Sequence, residues 1–554
     1  MTPAGAAEPE MAPGASGERA LRFSAAACVG IAAVLWMGPF VIRRDLFNDD
    51  AAHHVFWLYR FADPSLFPHD MSIEYFASVS PWGYRALYAA LVPFVDALLA
   101  AEVFSVFLLL VSGVLAWHLG KSLVPENRPL AGLLACATML LLLPVRDLLP
   151  AMGLERAFAL PITLLCLWAL VARRYAWVGL SWLAAALFYP PIVPGLGLTG
   201  GIVLLADFAR DRRLPPYWRW NAALGCAAIA IVLFGTVTPD GVGPMVTYEQ
   251  TQTMPEFSPR GRMELFGTTW TRYWFTHHRT GFGWAPRRLL SIAAAVLAAV
   301  LCGRGALIPR PAWALVLTGV SLWAAARLWL FHLYLPERHL RWAMAVFAVV
   351  AFTAAGWAIV STVSRRGRLG PRGMARFRWV IALATPLVVL RALLPPATRA
   401  WQTPVDVDLE RAYAFLASLP TDAVVAAHPD LADYVPVRAR HSVLASTEGA
   451  HAYMLGYYAW VRPRIEVSLR AAYATSWREL DEVLIPYDVD VVLTAPAVWA
   501  RKDYYAPYDD LVHELIARGE QEGFVLAKPA GDRVLFRSGE VYVIRVAYPR
   551  SGTP

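Results

Sequence analysis

The stretch LRFSAAACVGIAAVLWMGPFVI, from Leu21 to Ile42, is apolar over nearly its whole length and decides the class of fold. About twenty apolar residues in a helix match the hydrocarbon thickness of a bilayer. The run is too long for the apolar region of a signal peptide and lacks a convincing cleavage site, so it predicts a retained transmembrane helix. The composition agrees: 57% of the 554 residues are hydrophobic and only 17% are charged, which excludes an ordinary soluble protein.

Ten further apolar runs follow, so the sequence predicts a polytopic α-helical membrane protein of about eleven transmembrane helices. The predicted spans are 21–42, 100–119, 129–144, 157–172, 175–190, 192–208, 220–237, 287–303, 312–331, 341–361 and 378–395. They form a transmembrane domain over residues 21–400, with a large first outer loop at 43–99 and another at 238–286. Residues 1–20, rich in Ala, Gly, Pro and Glu, predict a disordered cytoplasmic N-terminus.

Basic residues between the apolar runs predict the orientation. With the N-terminus in the cytoplasm, the dense basic clusters all fall in cytoplasmic loops, as the positive-inside rule requires. These loops contain Lys121 and Arg128; Arg173 and Arg174; Arg210, Arg212, Arg213 and Arg219; Arg304 and Arg310; and Arg365, Arg366, Arg368, Arg372, Arg376 and Arg378. An odd number of spans then places the C-terminus outside the cytoplasm. The expected location of the protein is a bacterial inner membrane. This distribution explains the net charge of +8, so no nucleic-acid partner is expected.

The first outer loop begins with the sequence NDDAAHHVFWLYR, residues 48–60. In a helix, Asp49 and His53 lie four residues apart on one face, and so do Asp50 and His54. The aromatic residues that follow are typical of a helix at the membrane interface. Two interpretations stay open for the acidic pair, which could cap the helix N-terminus or supply a functional carboxylate.

Two shorter outer segments each contain an arginine beside an acid. In GLERAFALP (153–161), Arg156 could belong to an ion pair between helix ends or to a functional site. In YLPERH (334–339), Arg338 and His339 are well placed for a lipid phosphate, because arginine binds phosphate through two parallel hydrogen bonds. The alternative for Arg338 is an arginine that only extends its charge to the membrane interface.

The outer loop 238–286 is long and rich in aromatic residues, a pattern that favours a functional loop over a disordered one. Its candidate cationic residues are Arg260, Arg262, His277 and His278.

Residues 405–548 have the composition of a soluble domain and are predicted to form an extracytoplasmic α/β domain of about five strands. The predicted elements are strands at 424–427 and 489–493, helices near 409–419, 450–460 and 476–485, and a hairpin from 524–527 and 533–546. No glycine-rich phosphate loop follows the first strand, so nucleotide binding is not expected. Candidate ligand-binding residues at strand ends are His428, Asp430, His441, Glu448 and His451. The alternative is a lid or acceptor platform without a catalytic role.

A first outer loop with acidic residues and an interfacial aromatic helix resembles that of the GT-C glycosyltransferases. The segments GLERAFALP (153–161), YLPER (334–338) and AFLASLP (414–420) are similar to uncharacterised bacterial members of this superfamily. The resemblance implies an enzyme that moves a sugar from a polyprenyl-phosphate donor to an acceptor on the extracytoplasmic face. The Trp-Trp-Asp sequence of oligosaccharyltransferases is absent from this chain, which argues against transfer to protein asparagine.

The resemblance also implies roles for residues. Asp49 or Asp50 would accept the proton of the acceptor hydroxyl. Cationic residues would bind the donor phosphate: His53, His54, Arg156, Arg260, Arg262, His277, His278, Arg338 and His339. No cofactor is implied with certainty, and a divalent metal held by the carboxylates stays open. The predicted partners are the polyprenyl-phosphate-linked sugar and membrane lipid.

Two other functions stay open. A transporter or flippase of lipid-linked glycans would place ionisable groups near the bilayer midplane, where the predicted spans are almost free of charge, with Arg327 the clearest exception. A non-catalytic envelope assembly protein would use its soluble domain to bind a partner.

Overall fold

The structure is a computed structural model that describes residues 15–43, 46, 49–68, 70–143, 153–235, 238–366, 371–500, 502–529 and 531–547. Within these ranges, six helices of 19 to 29 residues are long and apolar enough to cross a membrane. They are Gly17–Ile42, Ala97–Leu123, Pro190–Asp211, Arg310–Leu328, Pro336–Ser364 and Ala375–Gln402. The chain is therefore a multi-pass membrane protein.

Sixteen α-helices make up the membrane part of the described chain, including those of its loops. They are α1 (Ala15–Ala32), α2 (Gly38–Ile42), α3 (Asp49–Val55), α4 (Met71–Val79), α5 (Trp82–Leu91), α6 (Ala97–Leu123), α7 (Arg128–Leu142), α8 (Ala159–Val171), α9 (Ala176–Phe188), α10 (Val193–Asp211), α11 (Trp218–Phe234), α12 (Tyr248–Thr251), α13 (Pro286–Leu301), α14 (Arg310–Leu328), α15 (Pro336–Arg366) and α16 (Pro371–Gln402). A π-helical segment, Ala33–Met37, joins α1 and α2 into one span.

Each of the eleven predicted spans coincides with a helix, but five of these helices are short. Helices α7, α8, α9, α11 and α13 have 13 to 17 residues, or about 20–26 Å at 1.5 Å per residue. The hydrocarbon core is about 30 Å thick, so length alone does not establish that these five cross it. At the N-terminus, α1 begins at Ala15, within the stretch predicted to be disordered. Its first turn contains Glu18, and an acidic residue there is favourable beside the positive end of the helix dipole. Residues 1–14 and Arg368 lie outside the described residues.

Helix α15 lies at the centre of the membrane part. Of its most apolar 18-residue window, 78% is buried inside the protein, compared with 22% for the window of α16. Because α15 is surrounded by other helices, its first residues lie in the middle of one face of the helical layer. Arg338 is therefore positioned centrally on the face that carries the soluble domain.

The C-terminal domain, predicted from its composition to be soluble and called the soluble domain below, contains a five-stranded mixed sheet. Its elements are α17 (Val407–Leu416), β1 (Val424–Ala426), α18 (Pro429–Ala432), α19 (Val435–Ala439), β2 (Ser442–Val443), α20 (Leu455–Ala472), α21 (Trp477–Leu484), β3 (Val491–Thr494), α22 (Ala497–Ala500), α23 (Asp509–Glu522), β4 (Val534–Ser538) and β5 (Val541–Arg545). The strand order is β2-β1-β3-β5-β4. Strands β1, β2 and β3 are parallel, whereas β5 pairs antiparallel with β3 and β4. Apolar side chains cover both faces of this sheet.

Three details of the soluble domain differ from the sequence prediction. The closing hairpin consists of β4 and β5 alone, since residues 524–527 form no strand and Phe524 packs near Trp499 instead. Helix α20 begins at Leu455, five residues after the predicted start, because residues 450–454 form a loop that binds the outer loops. Four helices (α18, α19, α22 and α23) and the two-residue strand β2 were not predicted, as none has a long apolar run.

Both predicted outer loops contact the soluble domain, the 238–286 loop through its backbone and the 43–99 loop through side chains. The amide of Val246 donates to the carbonyl of Tyr453 at 2.8 Å, and the amide of Leu455 donates to Pro244 at 2.8 Å. From the first outer loop, Tyr75 stacks on Tyr457 with ring centroids 4.2 Å apart. Tyr453 of the soluble domain also packs on Phe331 in the loop before α15, with ring centroids 6.0 Å apart.

Candidate active site

The loop before α15 places Arg338 at the N-terminus of a long buried helix. Phe331 and Tyr334 in this loop adopt left-handed backbone conformations, with φ of 70° and 64°. Non-glycine residues pay an energetic cost for this conformation, and such strain concentrates at functional sites. The loop ends at Pro336, whose fixed φ suits the first turn of a helix.

The guanidinium group of Arg338 is largely buried and incompletely bonded. Its Nε and Nη1 atoms are buried and have no hydrogen-bond partner among the described residues. Its neighbour Glu337 accepts a hydrogen bond from Arg341 Nε at 2.5 Å and lies 3.9 Å from Arg338 Nε. Tyr189, Tyr334 and Asp50 also interact electrostatically with Arg338, and Arg341 repels it. A cation beside the positive end of a helix dipole, with unused donors, is suited to bind an anion.

Asp50 forms an ion pair with Arg156. Asp50 lies in the first turn of α3 and Arg156 in the 3₁₀ helix Glu155–Phe158, which leads into α8. Burial opposes ionisation of Asp50, but Arg156 and His54 outweigh it, so the pKa of Asp50 is well below its ordinary value. Asp50 is therefore a carboxylate at neutral pH and a weak proton acceptor. Its neighbour Asp49 is the first residue of α3.

His54 lies one turn after Asp50 on α3 and faces Glu155. Its Nδ1 atom is 3.6 Å from Glu155 Oε2, just beyond hydrogen-bonding distance. The other carboxylate oxygen of Glu155 accepts a hydrogen bond from Ser80 Oγ at 2.7 Å. Phe76 packs edge-on against the His54 ring, with centroids 5.4 Å apart. Burial opposes the charged forms of both groups, but their mutual attraction outweighs it, so the pKa of Glu155 is lowered and the pKa of His54 is raised.

Gly153 allows Glu155 and Arg156 to reach this position. Its φ is +54°, and a Cβ there would lie 2.5 Å from the carbonyl oxygen of Ala101, so no other residue fits without displacing α6. The Gly153 amide donates to Ser105 Oγ at 2.5 Å, and the Gly153 carbonyl accepts from the Tyr88 hydroxyl at 3.1 Å. The GLERAF segment is thus fixed against α5 and α6.

A second polar network lies between this cluster and the soluble domain. His53 points away from Asp50, with Nε2 3.5 Å from Asp433 Oδ1. Arg262 Nη2 lies 2.5 Å from Glu448 Oε2. The Tyr75 hydroxyl and His451 Nδ1 are 2.9 Å apart, and burial among cationic neighbours holds the pKa of His451 well below its ordinary value. Glu448 and His451 therefore connect the soluble domain to the outer loops.

The remaining predicted residues lie outside the cluster. Arg260 is 77% exposed and pairs with Asp509 at 2.9 Å. His277 is buried 3.6 Å from Glu264 and accepts hydrogen bonds from the amides of Arg279 and Thr280, which folds the 238–286 loop. His278 packs against the His277 ring, with centroids 4.9 Å apart. His339 binds the carbonyl of Leu333 at 2.6 Å, so it anchors the loop before α15.

In the soluble domain, His428, Asp430 and His441 also have partners within the domain. The Asp430 amide donates to His428 Nδ1 at 3.3 Å, the Thr447 hydroxyl donates to Asp430 at 2.5 Å, and His441 Nε2 lies 2.7 Å from the carbonyl of Leu416. Ligand binding at these strand ends stays a prediction.

Sequence reasoning did not assign Glu155, Ser80, Tyr189 and Tyr334 to the site. One feature of the sequence indicates Glu155: it lies beside Arg156 in a segment, residues 153–161, that has no other charged residue. The two tyrosines resemble interfacial aromatic residues in the sequence, and only the fold brings them to Arg338. Among the described residues, no group of three or more histidine, cysteine, aspartate or glutamate side chains is arranged to hold a metal ion.

No protein-family model matches the chain, and no curated protein sequence matches it. Solved structures of an Archaeoglobus fulgidus oligosaccharyltransferase are similar to it. The apo form has a TM-score of 0.49 at 11% identity, with 86% of this chain and 69% of that chain covered. The enzyme tethered to an acceptor peptide has a TM-score of 0.46 at 12% identity, with 90% and 72% covered. Its complex with an inhibitory peptide and a dolichol-phosphate has a TM-score of 0.46 at 11% identity, with 86% and 69% covered. At this distance the similarity establishes neither an activity nor a substrate for this chain.

Proposed function

We propose that this protein is a membrane glycosyltransferase that moves a sugar from a polyprenyl-phosphate-linked donor to a hydroxyl acceptor outside the cytoplasm. The observation that carries the proposal is Arg338, whose two buried and unused donor atoms lie at a helix N-terminus beside Asp50 and two tyrosines. Burying a cation without full hydrogen bonding is costly, so a protein retains such a group when a ligand completes its bonds. An anionic phosphate fits this position.

An apolar crevice beside Arg338 supports a lipid-linked anion over a soluble one. It is lined by small and apolar residues of α10, α14 and α15, among them Gly195, Leu315, Gly319 and Trp342. A polyprenyl chain needs an apolar surface, and its phosphate needs the cation at the end of that surface. In this proposal Arg338 binds the phosphate and the apolar lining contacts the chain, which enters by widening this narrow crevice.

The cluster has the groups that the transfer requires. A hydroxyl oxygen attacks the anomeric carbon, the carbon–phosphate oxygen bond breaks, and its electron pair stays on the polyprenyl phosphate. Arg338 and Arg156 stabilise the negative charge that develops on the leaving phosphate. The hydroxyl proton passes to a base, for which α3 offers Asp49, Asp50 and His54. We assign the other predicted cations, His53, His339, Arg260, Arg262, His277 and His278, to positioning the loops around the donor.

The proposed arrangement in the membrane is eleven spans over residues 21–400, with the N-terminus inside and the soluble domain, 405–548, outside a bacterial inner membrane. The five short helices would then cross with the help of adjacent 3₁₀ segments and local thinning of the bilayer. If the transfer requires a divalent metal, Asp49 and Asp50 are the carboxylates that would hold it, and the metal would stabilise the charge on the donor phosphate. A flippase would place its charged groups near the span centres, whereas this cluster lies at helix ends.

The experiment uses purified protein in nanodiscs and undecaprenyl phosphates that carry a hexose, a pentose or an aminohexose. Alkyl glycosides serve as acceptors, and released undecaprenyl phosphate is measured with and without EDTA. We expect release from at least one donor, with formation of the matching glycoside. No release from any donor, with or without added Mg²⁺ or Mn²⁺, would overturn the proposed function.

A further inference from the structure

Asp50 and His54 both lie on the cluster side of α3, and their surroundings differ. The carboxylate of Asp50 is bound by Arg156, and the pairing stabilises its charged form. The ring of His54 is bound by no described cation, and its Nδ1 faces a carboxylate at 3.6 Å. The two side chains are therefore set up for different tasks.

The two ring nitrogens of His54 are also in different environments. Nδ1 is buried, whereas Nε2 is accessible, and 28% of the side chain is exposed. A carboxylate beside Nδ1 favours the tautomer that carries its hydrogen on Nδ1, which leaves a lone pair on Nε2. A base beside an orienting carboxylate has this arrangement, and in such sites the hydrogen bond between the two is often long before the substrate binds.

Glu155 is itself fixed for that orienting role. Ser80 holds its Oε1 at 2.7 Å, which leaves Oε2 for His54. The turn at Gly153 fixes the backbone just before it. Phe76 packs on the edge of the His54 ring and limits its rotation.

We propose that His54, oriented by Glu155, takes the proton of the acceptor hydroxyl, and that Asp50 positions Arg156. This inference rests on the proposed function. The hydroxyl oxygen forms the new bond to the anomeric carbon, its proton moves to His54 Nε2, and the electron pair of the broken bond leaves on the polyprenyl phosphate. Asp50 and His54 are one helical turn apart, with Cβ atoms about 5–6 Å from each other, so a sugar on a phosphate at Arg156 and Arg338 lies within reach of His54.

The proposal predicts a pH dependence. The charged and titratable groups around His54 are Asp50, Glu155 and Arg156, with the His53–Asp433 pair and His451 behind them. Only neutral His54 accepts a proton, so kcat/KM rises with pH through the pKa of His54. Glu155 raises that pKa, so Glu155→Gln moves the rise to lower pH. It also lowers the plateau, by roughly 10- to 100-fold, because the ring loses its orientation.

The test compares His54→Asn and Glu155→Gln with two variants on the exposed face of α23, His513→Asn and Glu514→Gln. We expect His54→Asn to lower transfer by roughly a hundred- to ten-thousand-fold and to remove the rise with pH. In His54→Ala, added imidazole should restore part of the rate. The α23 variants should behave as wild type. A His54→Asn variant within threefold of wild type, or a Glu155→Gln profile with an unshifted rise, would overturn the inference.

A spectroscopic measurement separates this inference from the proposed function. The ring ¹³C signals of labelled histidine report the titration of His54 in the absence of any donor. The His54 signal is identified as the one that is missing from the spectrum of His54→Asn. A lower His54 pKa in Glu155→Gln supports the orienting pair even if wild type uses none of the donors offered. An unchanged pKa rules the pair out, whether or not the wild type is active.

Discussion

At the scale of single residues, Asp50 shows how a partner determines the chemistry of a side chain. In the sequence, Asp50 could be a base, a cap or a metal ligand. In the fold it is paired with Arg156, which lies 106 positions further along the chain, and this partner makes Asp50 a weak base. The pairing lowers the pKa of Asp50, so this carboxylate is stable at neutral pH and binds protons weakly.

The residue-scale prediction concerns Asp50→Asn, which keeps the size of the side chain and removes its charge. Arg156 then loses its carboxylate, and a misplaced guanidinium lowers kcat by roughly 10- to 100-fold. The rise of kcat/KM with pH should persist, because it belongs to His54. A pH–rate profile measured beside Asp63→Asn, an exposed aspartate of the same outer loop, checks this. Loss of the rise in Asp50→Asn would make Asp50 the base.

How much of the site the sequence predicts depends on the range of each contact. The i, i+4 spacing correctly predicts that Asp50 and His54 lie on one face of a helix. The tertiary fold then brings Arg156 and Arg338 close to Asp50. His53, next in sequence to His54, turns to Asp433 instead, 380 positions away. Sequence spacing cannot reveal such a partner, because the contact forms only after the soluble domain folds onto the first outer loop.

At the scale of elements, long apolar runs were the reliable guide. Each predicted span coincides with a helix, since only a helix satisfies the backbone of a long apolar segment in lipid. Strands were harder: β1 and β3 were predicted from buried valine-rich runs, whereas residues 524–527 have a similar composition and form none. A four-residue apolar segment has too little pattern to distinguish a strand from a buried loop.

The orientation of the spans gives the element-scale prediction. Reporter fusions after Arg213 and Arg372 should lie in the cytoplasm, and fusions after Arg262 and Thr421 should lie outside. Alkaline phosphatase is active outside the cytoplasm, whereas green fluorescent protein fluoresces in the cytoplasm. If only the six long helices crossed the membrane, the even number would place both termini on one side. A fluorescent fusion after Thr421 would therefore contradict the eleven-span arrangement.

At the scale of the whole molecule, polar contacts between distant parts enclose the cluster. The soluble domain contacts the first outer loop through His451 and the 238–286 loop through Glu448. Arg440 of the same domain pairs with Asp96, just before α6, at 3.0 Å. The start of the central helix, α15, lies beneath this layer. Apolar helices and a polar cover thus leave the unused donors of Arg338 in a protected position, where an electrostatic contact with phosphate is strengthened.

The measurement that tests the central claim most directly is donor turnover by Arg338→Gln. Loss of a desolvated phosphate contact costs roughly 2–5 kcal/mol, so kcat/KM for the polyprenyl-phosphate donor should fall about 30- to 5,000-fold. The matched control is Arg478→Gln, an arginine exposed on α21 that should turn over donor as wild type does. Both variants should unfold at the wild-type temperature in detergent, because a surface-paired arginine adds little stability and the Arg338 donors are unused. A folded Arg338→Gln protein with wild-type donor turnover would contradict the assignment of this cluster as the transfer site.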